Sequence, residues 1–455
     1  MIQCPDCGGG LRFDIPSQRM ICDMCGSSYD PAALEYGDKD EAKGVHVFES
    51  YIYTCPSCGG ELMGVDKTDA IGYCPFCGGA SMLFDRINNT WRPEYIIPFT
   101  VTKEQCRELY LKEAKRSPFT DRRYRDPALI EGFRGIYMPY WCYKGEHKGP
   151  FTLTGSKKGF FVGKDYKLTG DIDLALDGYA HDASIAFDDR ISESLAPFDA
   201  SGQKPFVPGY LAGFYADTGD VDRKAYVKKG TDCMRLATAE AMAEDDTVNP
   251  RHGLGRIHID TKTAVLPTHV TGAYRTLYPV WFMSYRDKKD KLTYAAVNGQ
   301  TGKVSADLPQ SPVKIVIAVL ILTVILAAGL FLLPSAKANT ALFISTALLL
   351  AGTVILRLNY RAAVNPDTHL DQTDEAKRFD KRDKRRLVLI GISAVVGAMM
   401  AIADLAHNYV TYIAALVLGA ELFYMMFCHI RFQIDIARRR PPQFDKKGGA
   451  EYDEN

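Results

Sequence analysis

Long apolar stretches are confined to the last third of this chain. Four runs of 17 to 19 residues with few or no charges follow Pro312, and polar connections separate them. They lie at about 315–333, 340–356, 387–405 and 409–427. A helix of 19 residues is roughly 28 Å long, close to the thickness of a bilayer core. The pattern predicts a four-helix transmembrane domain at 313–431 and a cytosolic tail at 432–455.

Basic side chains around these runs are unevenly distributed. The connection from Arg357 to Arg386 holds nine Lys and Arg residues, and six more follow from Arg431 onward. The connection between the first two runs holds one lysine, and the connection between the last two holds none. Positive residues collect on the cytoplasmic side of a membrane. We therefore expect a multi-pass protein of the bacterial cytoplasmic membrane with both termini in the cytoplasm.

Two carboxylates lie within the apolar runs, Asp404 near the end of the third and Glu421 inside the fourth. Ionisable groups at this depth raise the alternative of a transporter or channel component. However, the runs show no broken helix and no internal symmetry. Ser393, Gly397 and Ala401 recur at four-residue intervals, which favours close helix packing. We expect the carboxylates to make helix-packing or partner-subunit contacts.

The region at 95–310 has a mixed pattern that predicts an α+β fold with paired β-units. Thr102–Arg116 and Val221–Asp245 have the periodicity of amphipathic helices. Met138–Lys144 and Tyr278–Tyr285 alternate like strands, and both contain Pro-x-Trp with tyrosines nearby. This similarity predicts a pseudo-repeat around one aromatic core, with each proline opening its strand. An aromatic groove for a peptide is the functional alternative.

Eight of the twelve cysteines form four Cys-x-x-Cys pairs. The pairs are separated by 14 residues in the first set and 15 in the second, which suits a short β-hairpin. Four thiolates in this arrangement are typical of a structural zinc site, and a glycine after each pair permits the positive φ angle of a tight turn. We predict zinc ribbons at 1–30 and 50–86, each with one structural Zn²⁺. The predicted ligands are Cys4, Cys7, Cys22 and Cys25, then Cys55, Cys58, Cys74 and Cys77.

Other chemistries fit these cysteines less well. Met1 is followed directly by the first pair, so we expect no export signal and a reducing compartment, which disfavours disulfides. Iron in a rubredoxin-like site remains an alternative to zinc. Four thiolates leave no open coordination position, so a catalytic metal is not expected. The remaining thiols have no metal-site spacing and are expected to be buried or partly buried. They are Cys106, Cys142, Cys233 and Cys428.

The charge of the N-terminal segment favours protein recognition over nucleic-acid binding. The whole chain of 455 residues has a formal net charge of zero, but Met1–Asp85 holds five basic and thirteen acidic side chains, a balance of −8. Two Zn(Cys)₄ centres would lower this to about −12. Such a segment repels a polyanion, so we do not expect nucleic acid as a partner. The chain also shows no catalytic constellation, and we expect no enzyme activity.

Several motifs together resemble a family of bacterial membrane proteins with TFIIB-type zinc ribbons. They are the CPxCGG pairs, "YIIPF" (Tyr95–Phe99), "GIYMPYW" (Gly135–Trp141), "LYPVW" (Leu277–Trp281), "NGQTGKV" (Asn298–Val304) and the apolar C-terminal region. Some relatives carry a label borrowed from the primosomal helicase, but this chain has no helicase phosphate loop. The family commonly has fewer membrane spans than the four predicted here.

The resemblance implies a membrane-anchored adaptor or scaffold associated with envelope stress. Its implied cytosolic partners are phage-shock-protein-A-like proteins and SPFH or virion-core-like proteins. The residues themselves predict contact with membrane lipid, permit an oligomer and do not identify a partner. Our leading hypothesis is a non-enzymatic platform whose zinc ribbons recruit cytosolic proteins to the membrane. A transporter component using Glu421 or Asp404, and a nucleic-acid-binding membrane regulator acting through the ribbons, are the alternatives.

Overall fold

The structure is a computed structural model. It describes residues 2–34, 47–65, 74–79, 81–116, 118–158, 163–185, 187, 189–251, 256–286, 292–309, 311, 313–314, 317, 321, 338–363, 374–403 and 408–436. Within these ranges the chain forms a small N-terminal sheet, a mixed central sheet with helices packed on it, and a set of apolar C-terminal helices.

The first cysteine cluster belongs to a three-stranded antiparallel sheet. Its strands are β1 (Leu11–Asp14), β2 (Arg19–Cys22) and β3 (Ser28–Tyr29). The β1–β2 hairpin lies between the two cysteine pairs, as their spacing predicts. Leu11, Phe13 and Met20 are buried against the central region, where the Phe13 ring contacts that of Tyr210 at 5.3 Å. One side of this ribbon therefore packs on the core.

The described part of the central sheet contains twelve strands in a mixed arrangement. They are β4 (Val47–Thr54), β5 (Glu61–Gly64), β6 (Leu83–Trp91), β7 (Tyr95–Ile96), β8 (Arg134–Lys158), β9 (Gly163–Asp182), β10 (Lys204–Pro205), β11 (Tyr215–Asp217), β12 (His258–Ile259), β13 (Thr268–Arg286), β14 (Leu292–Asn298) and β15 (Val304–Ala306). The main path runs β10-β7-β13-β8-β11-β5-β4-β6, while β9 and β12 pair with β8, and β14 pairs with β13 and β15.

The second ribbon is joined to this sheet. Its strand β4 pairs with β5 on one side and with β6 on the other, and β5 also pairs with β11 through Leu62 opposite Asp217 and Met63 opposite Ala216. The expected boundary between 50–86 and 95–310 therefore does not coincide with a break in the sheet. Pairing with β11 gives hydrogen-bond partners to a ribbon edge that water would otherwise contact.

The predicted pseudo-repeat is confirmed by the strand register. Strands β8 and β13 pair antiparallel with Met138 opposite Tyr278, so the two Pro-x-Trp motifs flank a local pseudo-twofold axis. Each long strand also pairs in parallel with a short strand that starts with tyrosine. Tyr215 of β11 lies opposite Ile136, and Tyr95 of β7 lies opposite Thr276. Each short strand precedes the long strand of its own sequence unit but pairs with the long strand of the other unit. Each structural half therefore combines a long strand from one unit with the short strand of the other.

The two tryptophans make equivalent hydrogen bonds across this axis. The indole Nε1 of Trp281 donates to the carbonyl of Val101 at 2.8 Å, and that of Trp141 donates to the carbonyl of Val221 at 2.8 Å. Trp281 is buried beside Phe99, with ring centroids 5.1 Å apart. Because one indole of the pair lies inside the core, the repeat forms an aromatic core and does not expose both tryptophans in a groove.

The prolines do not open their strands, which corrects the sequence prediction. Pro139 is the sixth residue of β8, and Pro279 lies well inside β13. On the side away from β13, β8 pairs with β11 up to Tyr137 and with β9 from Tyr140 onward. Strand β13 changes partner in the same way, from β7 to β14. Each proline lies at the changeover between neighbours, where a missing N–H removes no ladder bond.

Within the described residues, four α-helices accompany the sheet. They are α1 (Lys103–Arg116), α2 (Pro127–Ile130), α3 (Asp189–Leu195) and α4 (Val227–Glu244). Helix α1 begins as predicted. The Gln105 N–H donates to Thr102 Oγ1 at 3.3 Å, and the Thr102 N–H donates to Gln105 Oε1 at 2.9 Å, which is a capping box. Helix α4 begins six residues after the predicted Val221, because Asp222 first closes a turn by accepting from the Lys224 N–H.

The C-terminal helices described by the structure are α5 (Ala338–Ala363), α6 (Asp374–Ala403) and α7 (Asn408–Ile436). Two described segments, not four, are long and apolar enough to span a membrane, Lys377–Ile402 and Ile413–Phe432. The apolar part of α5, Leu342–Leu358, is shorter. The predicted span at 315–333 lies almost entirely outside the described residues, as does Asp404.

The outer surfaces of these helices are apolar. Only 17% of the apolar window of α6, and the same share of α7, is buried inside the protein. Ile402 is 81% exposed and Leu416 is 73% exposed. A core helix of a water-soluble domain would bury such side chains, whereas a lipid-facing helix leaves them at its surface.

A charged cluster connects the three helices at one end. Arg357 of α5 contacts Asp383 of α6 at 2.7 Å and Asp380 at 2.8 Å, and His429 Nε2 of α7 lies 3.1 Å from the other Asp383 oxygen. This end therefore collects the C-terminal part of α5, the N-terminal part of α6 and the C-terminal part of α7. Helices that cross a membrane in alternating directions would place these same three parts on one side.

Candidate metal centres

All four cysteine turns have the same backbone geometry. The N–H of the glycine after each pair donates to the carbonyl of the first cysteine at 2.8 or 2.9 Å, and the glycine has a φ angle between +66° and +80°. These bonds join Gly8 to Cys4, Gly26 to Cys22, Gly59 to Cys55 and Gly78 to Cys74. A residue with a Cβ adopts this φ range at a cost, so glycine is required for a short turn that points two sulfurs inward.

The structure brings the eight predicted cysteines together in two groups of four. Within each group all Sγ atoms lie within 4.8 Å of one another. Close Sγ–Sγ distances are 3.6 Å (Cys4–Cys25), 3.5 Å (Cys7–Cys22), 3.6 Å (Cys55–Cys77) and 3.8 Å (Cys58–Cys74). A Zn–S bond of about 2.3 Å places the corners of a tetrahedron about 3.8 Å apart. Each cluster can therefore bind a metal ion such as zinc.

The first cluster is open to solvent on one side. Cys4 and Cys22 are buried, whereas Cys7 and Cys25 are exposed. The Gly9 N–H donates to Cys7 Sγ at 3.4 Å, as expected for a metal-bound thiolate. A hydrogen bond with the Ser27 side chain lowers the pKa of Cys25 to about 6. The pKa of Cys7 in the same cluster is raised to about 12, so in the absence of a metal the two exposed thiols do not ionise alike.

The second cluster is enclosed, since all four of its cysteines are buried. Phe76 lies between its last two cysteines, is fully buried, and contacts the Phe282 ring of β13 at 6.4 Å. The Tyr294 hydroxyl of β14 donates to the Phe76 carbonyl at 2.7 Å, and Arg286 Nε donates to the Cys77 carbonyl at 3.0 Å. The turn that holds two of the sulfurs is therefore part of the core of the central region.

The two centres have the same four-thiolate chemistry but different surroundings. Neither has an open coordination position when four thiolates bind one ion, so both fit structural metals. The second centre connects a ribbon to the central sheet, and its ion would contribute directly to folding. The first centre has the same sulfur geometry but leaves two cysteines at the surface, beside Met24, which is 80% exposed. Its exposed side can contact another molecule.

The other four cysteines agree with the sequence prediction. Cys106 and Cys142 are buried, and Cys233 and Cys428 are partly buried. Burial raises the pKa of Cys106 and of Cys142, as expected for inert structural thiols. All twelve cysteines are free thiols, so no disulfide competes with metal binding in either cluster.

Sequence patterns did not indicate two features of these centres. One is the participation of Arg286 and Tyr294, which lie more than 200 residues from the second cluster and carry no local motif. The other is the difference in burial, because the cysteine spacings are nearly the same. The local sequence does not reveal this difference, because an apolar residue occupies the same position in the second turn of each cluster: Met24, which is exposed, and Phe76, which is buried.

Glu421, the carboxylate inside the apolar segment of α7, has a defined contact. Ser393 Oγ of α6 donates to Glu421 Oε1 of α7 at 2.9 Å. The stripe that contains Ser393 therefore contacts α7, and Gly397 of the same stripe lies where a Cβ would approach Leu418 of α7 at 3.1 Å. These contacts agree with the predicted role of small and polar residues in helix packing.

Comparison with known proteins gives one distant relationship. No family model matches the chain, and no solved structure matches it. The chain is similar to the "Uncharacterized protein YdjG" of Bacillus subtilis (strain 168), with 26% identity over 328 residues. The matched region covers 69% of this chain and 91% of that protein. The similarity indicates distant homology to YdjG.

Proposed function

We propose that this protein is a membrane-anchored adaptor whose first zinc ribbon recruits a cytosolic protein to the bacterial cytoplasmic membrane. The observation that carries the proposal is the unequal burial of two clusters with the same sulfur geometry. The second cluster is enclosed by the central sheet, whereas the first presents Cys7, Cys25 and Met24 at the surface. Envelope stress is the setting that the resemblance implies.

The chemistry of the exposed ribbon favours a protein with a basic surface and an apolar pocket. Asp6, Asp23 and Asp30 are exposed on this ribbon, and Arg12 is already paired with Asp23 at 2.8 Å. A bound Zn(Cys)₄ centre adds two further negative charges. The flexible side chain of Met24 suits an apolar contact at the centre of such an interface. The same charge disfavours nucleic acid.

The proposal includes four membrane spans with both termini in the cytoplasm. The apolar surfaces of α6 and α7 support the anchor. The charged cluster of Arg357, Asp383 and His429 groups the helix ends that flank the basic connection, and the positive-inside rule places that end in the cytoplasm. The contact between Ser393 and Glu421 favours helix packing over a transport pathway.

Crosslinking from Met24 tests the recruitment role. A photoreactive amino acid at position 24 should capture a discrete cytosolic protein in living cells, whereas the same group at Val265, which is 63% exposed, should not. Met24→Asp should leave the metal content unchanged and move the captured protein from the membrane fraction to the cytosol. Identical products from both positions, or an unchanged membrane fraction in the Met24→Asp strain, would refute recruitment through this ribbon.

A further inference from the structure

A cavity of about 380 Å³ lies in the central region, away from both metal centres. Residues of β8, β9, α3, α4 and β13 line it. One wall is aromatic. The rings of Tyr140 and Tyr278 stack at 4.4 Å, and Phe198 lies 4.6 Å from Tyr278. Small-molecule sites have this size and this mainly apolar lining, together with a few convergent polar groups.

The polar groups converge at the other end of the cavity. Lys229 Nζ contacts Glu193 Oε1 at 2.6 Å and His181 Nε2 at 2.9 Å. Because an ammonium group only donates, His181 accepts through Nε2, and its N–H is then on Nδ1, which lies 3.1 Å from the Asp182 carbonyl. The imidazole is therefore neutral. Glu193 pairs with Lys229, and the buried Asp182 carboxylate lies 3.5 Å from Nδ1, the other ring nitrogen of His181. The two contacts of Lys229 leave one ammonium N–H for a ligand.

The pseudo-repeat shows that the fold does not require these polar residues. His181 lies opposite Trp141 in the β8–β9 pair, and Val297 lies opposite Trp281 in the β13–β14 pair. The equivalent position in the other half is thus a buried valine. His181 is also buried and stacks on Tyr226 at 3.6 Å. The same strand position therefore tolerates an apolar side chain in one half and holds an imidazole in the other.

The helices support the same comparison. The buried positions of α1 are Cys106, Tyr110 and Ala114, and Gly230, Met234 and Thr238 have the same spacing in α4. This alignment places Lys229 at the position equivalent to Gln105. A neutral side chain occupies that position in the half without the polar cluster. Lys229 and Glu193 are partly removed from water, with 34% and 22% of their side chains exposed, and His181 is buried. Desolvation of polar groups costs free energy, so an imidazole and an ammonium group that the fold does not require indicate a ligand.

We propose that this cavity binds a small, neutral, planar aromatic compound with a carbonyl oxygen. The aromatic wall of Tyr140, Phe198 and Tyr278 would contact the ring, and the third N–H of Lys229 would donate to the carbonyl. Because Glu193 already neutralises Lys229, an ionised ligand would gain little net attraction from this pair and would still lose its hydration, whereas a neutral ligand avoids that cost. The site is separate from the adaptor role of the first ribbon, and either one can hold without the other.

Fluorine NMR of the full-length protein in detergent tests the proposal with three fluorinated probes of similar size. We expect the fluorine signal of 4-fluorobenzamide to broaden on addition of protein. This compound should also bind more tightly than 4-fluorobenzoate or 4-fluorobenzylamine. Lys229→Gln and His181→Val install the residues of the other half, and should preserve the metal content and the melting temperature. Each should weaken 4-fluorobenzamide binding about tenfold or more. Lys262→Gln, at an exposed lysine outside the cavity, is the matched control and should bind normally.

Cys233 provides a second readout, because it lines the cavity and is partly buried. 4-Fluorobenzamide should slow alkylation of Cys233 by iodoacetamide, as followed by peptide mass spectrometry, and should not do so in Lys229→Gln. Absence of 4-fluorobenzamide binding to the wild-type protein would overturn the proposal. Tightest binding of the amine, or undiminished binding by Lys229→Gln, would overturn it as well.

Discussion

Gly299 offers a sharp test of how the two halves of the central region fit together. It follows β14, and its N–H donates to the carbonyl of Pro279 at 2.8 Å. A Cβ at this position would lie 2.5 Å from Cδ1 and 2.6 Å from Cε1 of Phe99, and 2.8 Å from Cβ of Pro279. Carbon atoms pack at about 3.5–4.0 Å, so Gly299→Ala requires the ring or the strand to move.

Neighbouring rings prevent Phe99 from moving away. The Phe99 ring is fully buried and stacks on Phe214 at 4.6 Å, with Tyr137 at 5.0 Å and Trp281 at 5.1 Å. Overpacking of such a core costs about 1–3 kcal/mol, and contact with both the ring and Pro279 places Gly299→Ala near the upper value. For a region of about 200 residues, each kcal/mol lowers the melting temperature by about 2–4 °C, which predicts a fall of about 6–12 °C.

The other half shows how the clash can be relieved. The carbonyl of Gly299 accepts from the Val101 N–H, and the carbonyl of Ala183 accepts from the Val221 N–H. Ala183 therefore occupies the position equivalent to Gly299. Two residues before each valine stand Phe99 in one half and Gly219 in the other. Alanine is accommodated where glycine replaces the phenylalanine, so Phe99→Leu should reduce the cost of Gly299→Ala by about 1 kcal/mol or more.

Thermal unfolding in detergent, followed by tryptophan fluorescence, measures these effects because Trp281 contacts Phe99. Gly272→Ala is the matched control. This glycine also lies in the sheet, but no atom lies within 4 Å of its Cβ position, so its substitution should change stability by less than about 0.5 kcal/mol. Equal melting temperatures for Gly299→Ala and Gly272→Ala would refute the packing argument.

Two further predictions concern the metal centres and a buried acid. A thiol-reactive mercurial should release two zinc ions per chain in two phases, the first when Cys7 and Cys25 react and the second on unfolding, as followed with a zinc-binding dye. A single phase would contradict the assigned difference in burial. Burial raises the pKa of Asp217 from 3.8 to about 7, so its folded form retains the proton more strongly than its unfolded form. Its contribution to stability is therefore fully present below about pH 4 and is lost as the pH rises to about 7, at most about 4 kcal/mol. Asp217→Asn should be more stable than wild type at pH 8, with a smaller advantage at pH 5.5. An advantage that does not change with pH would rule out this origin.

Short-range patterns predicted the cysteine centres well. A Cys-x-x-Cys pair followed by glycine fixes its own turn, so the glycine after each pair adopts the expected φ angle. The capping box at Thr102 and Gln105 is similarly local. The Pro-x-Trp motifs also predicted a repeat, because both copies must make the same contacts. Features determined within a few residues, or repeated in the chain, were accessible from sequence.

Contacts between distant segments were not accessible in this way. The pairing of β5 with β11 joins residues more than 150 positions apart, and it merges the second ribbon with the sheet. The place of Pro139 depends on where β11 ends and β9 begins beside β8. His181, Glu193 and Lys229 form no motif along the chain, because a strand and two helices supply them. Each feature depends on the complete sheet.

Duplication gives these observations a common explanation. A repeated unit can keep the packing of the fold in one copy while the other copy changes. The enclosed second ribbon and the apolar half around Val297 maintain the core. Their counterparts carry features that packing does not require: exposed Met24 beside an open cysteine cluster, and charged Lys229 beside an aromatic cavity. Since such features lower or do not improve stability, selection for binding is the better reason for their presence. The interactions of this protein should therefore map to the divergent copies.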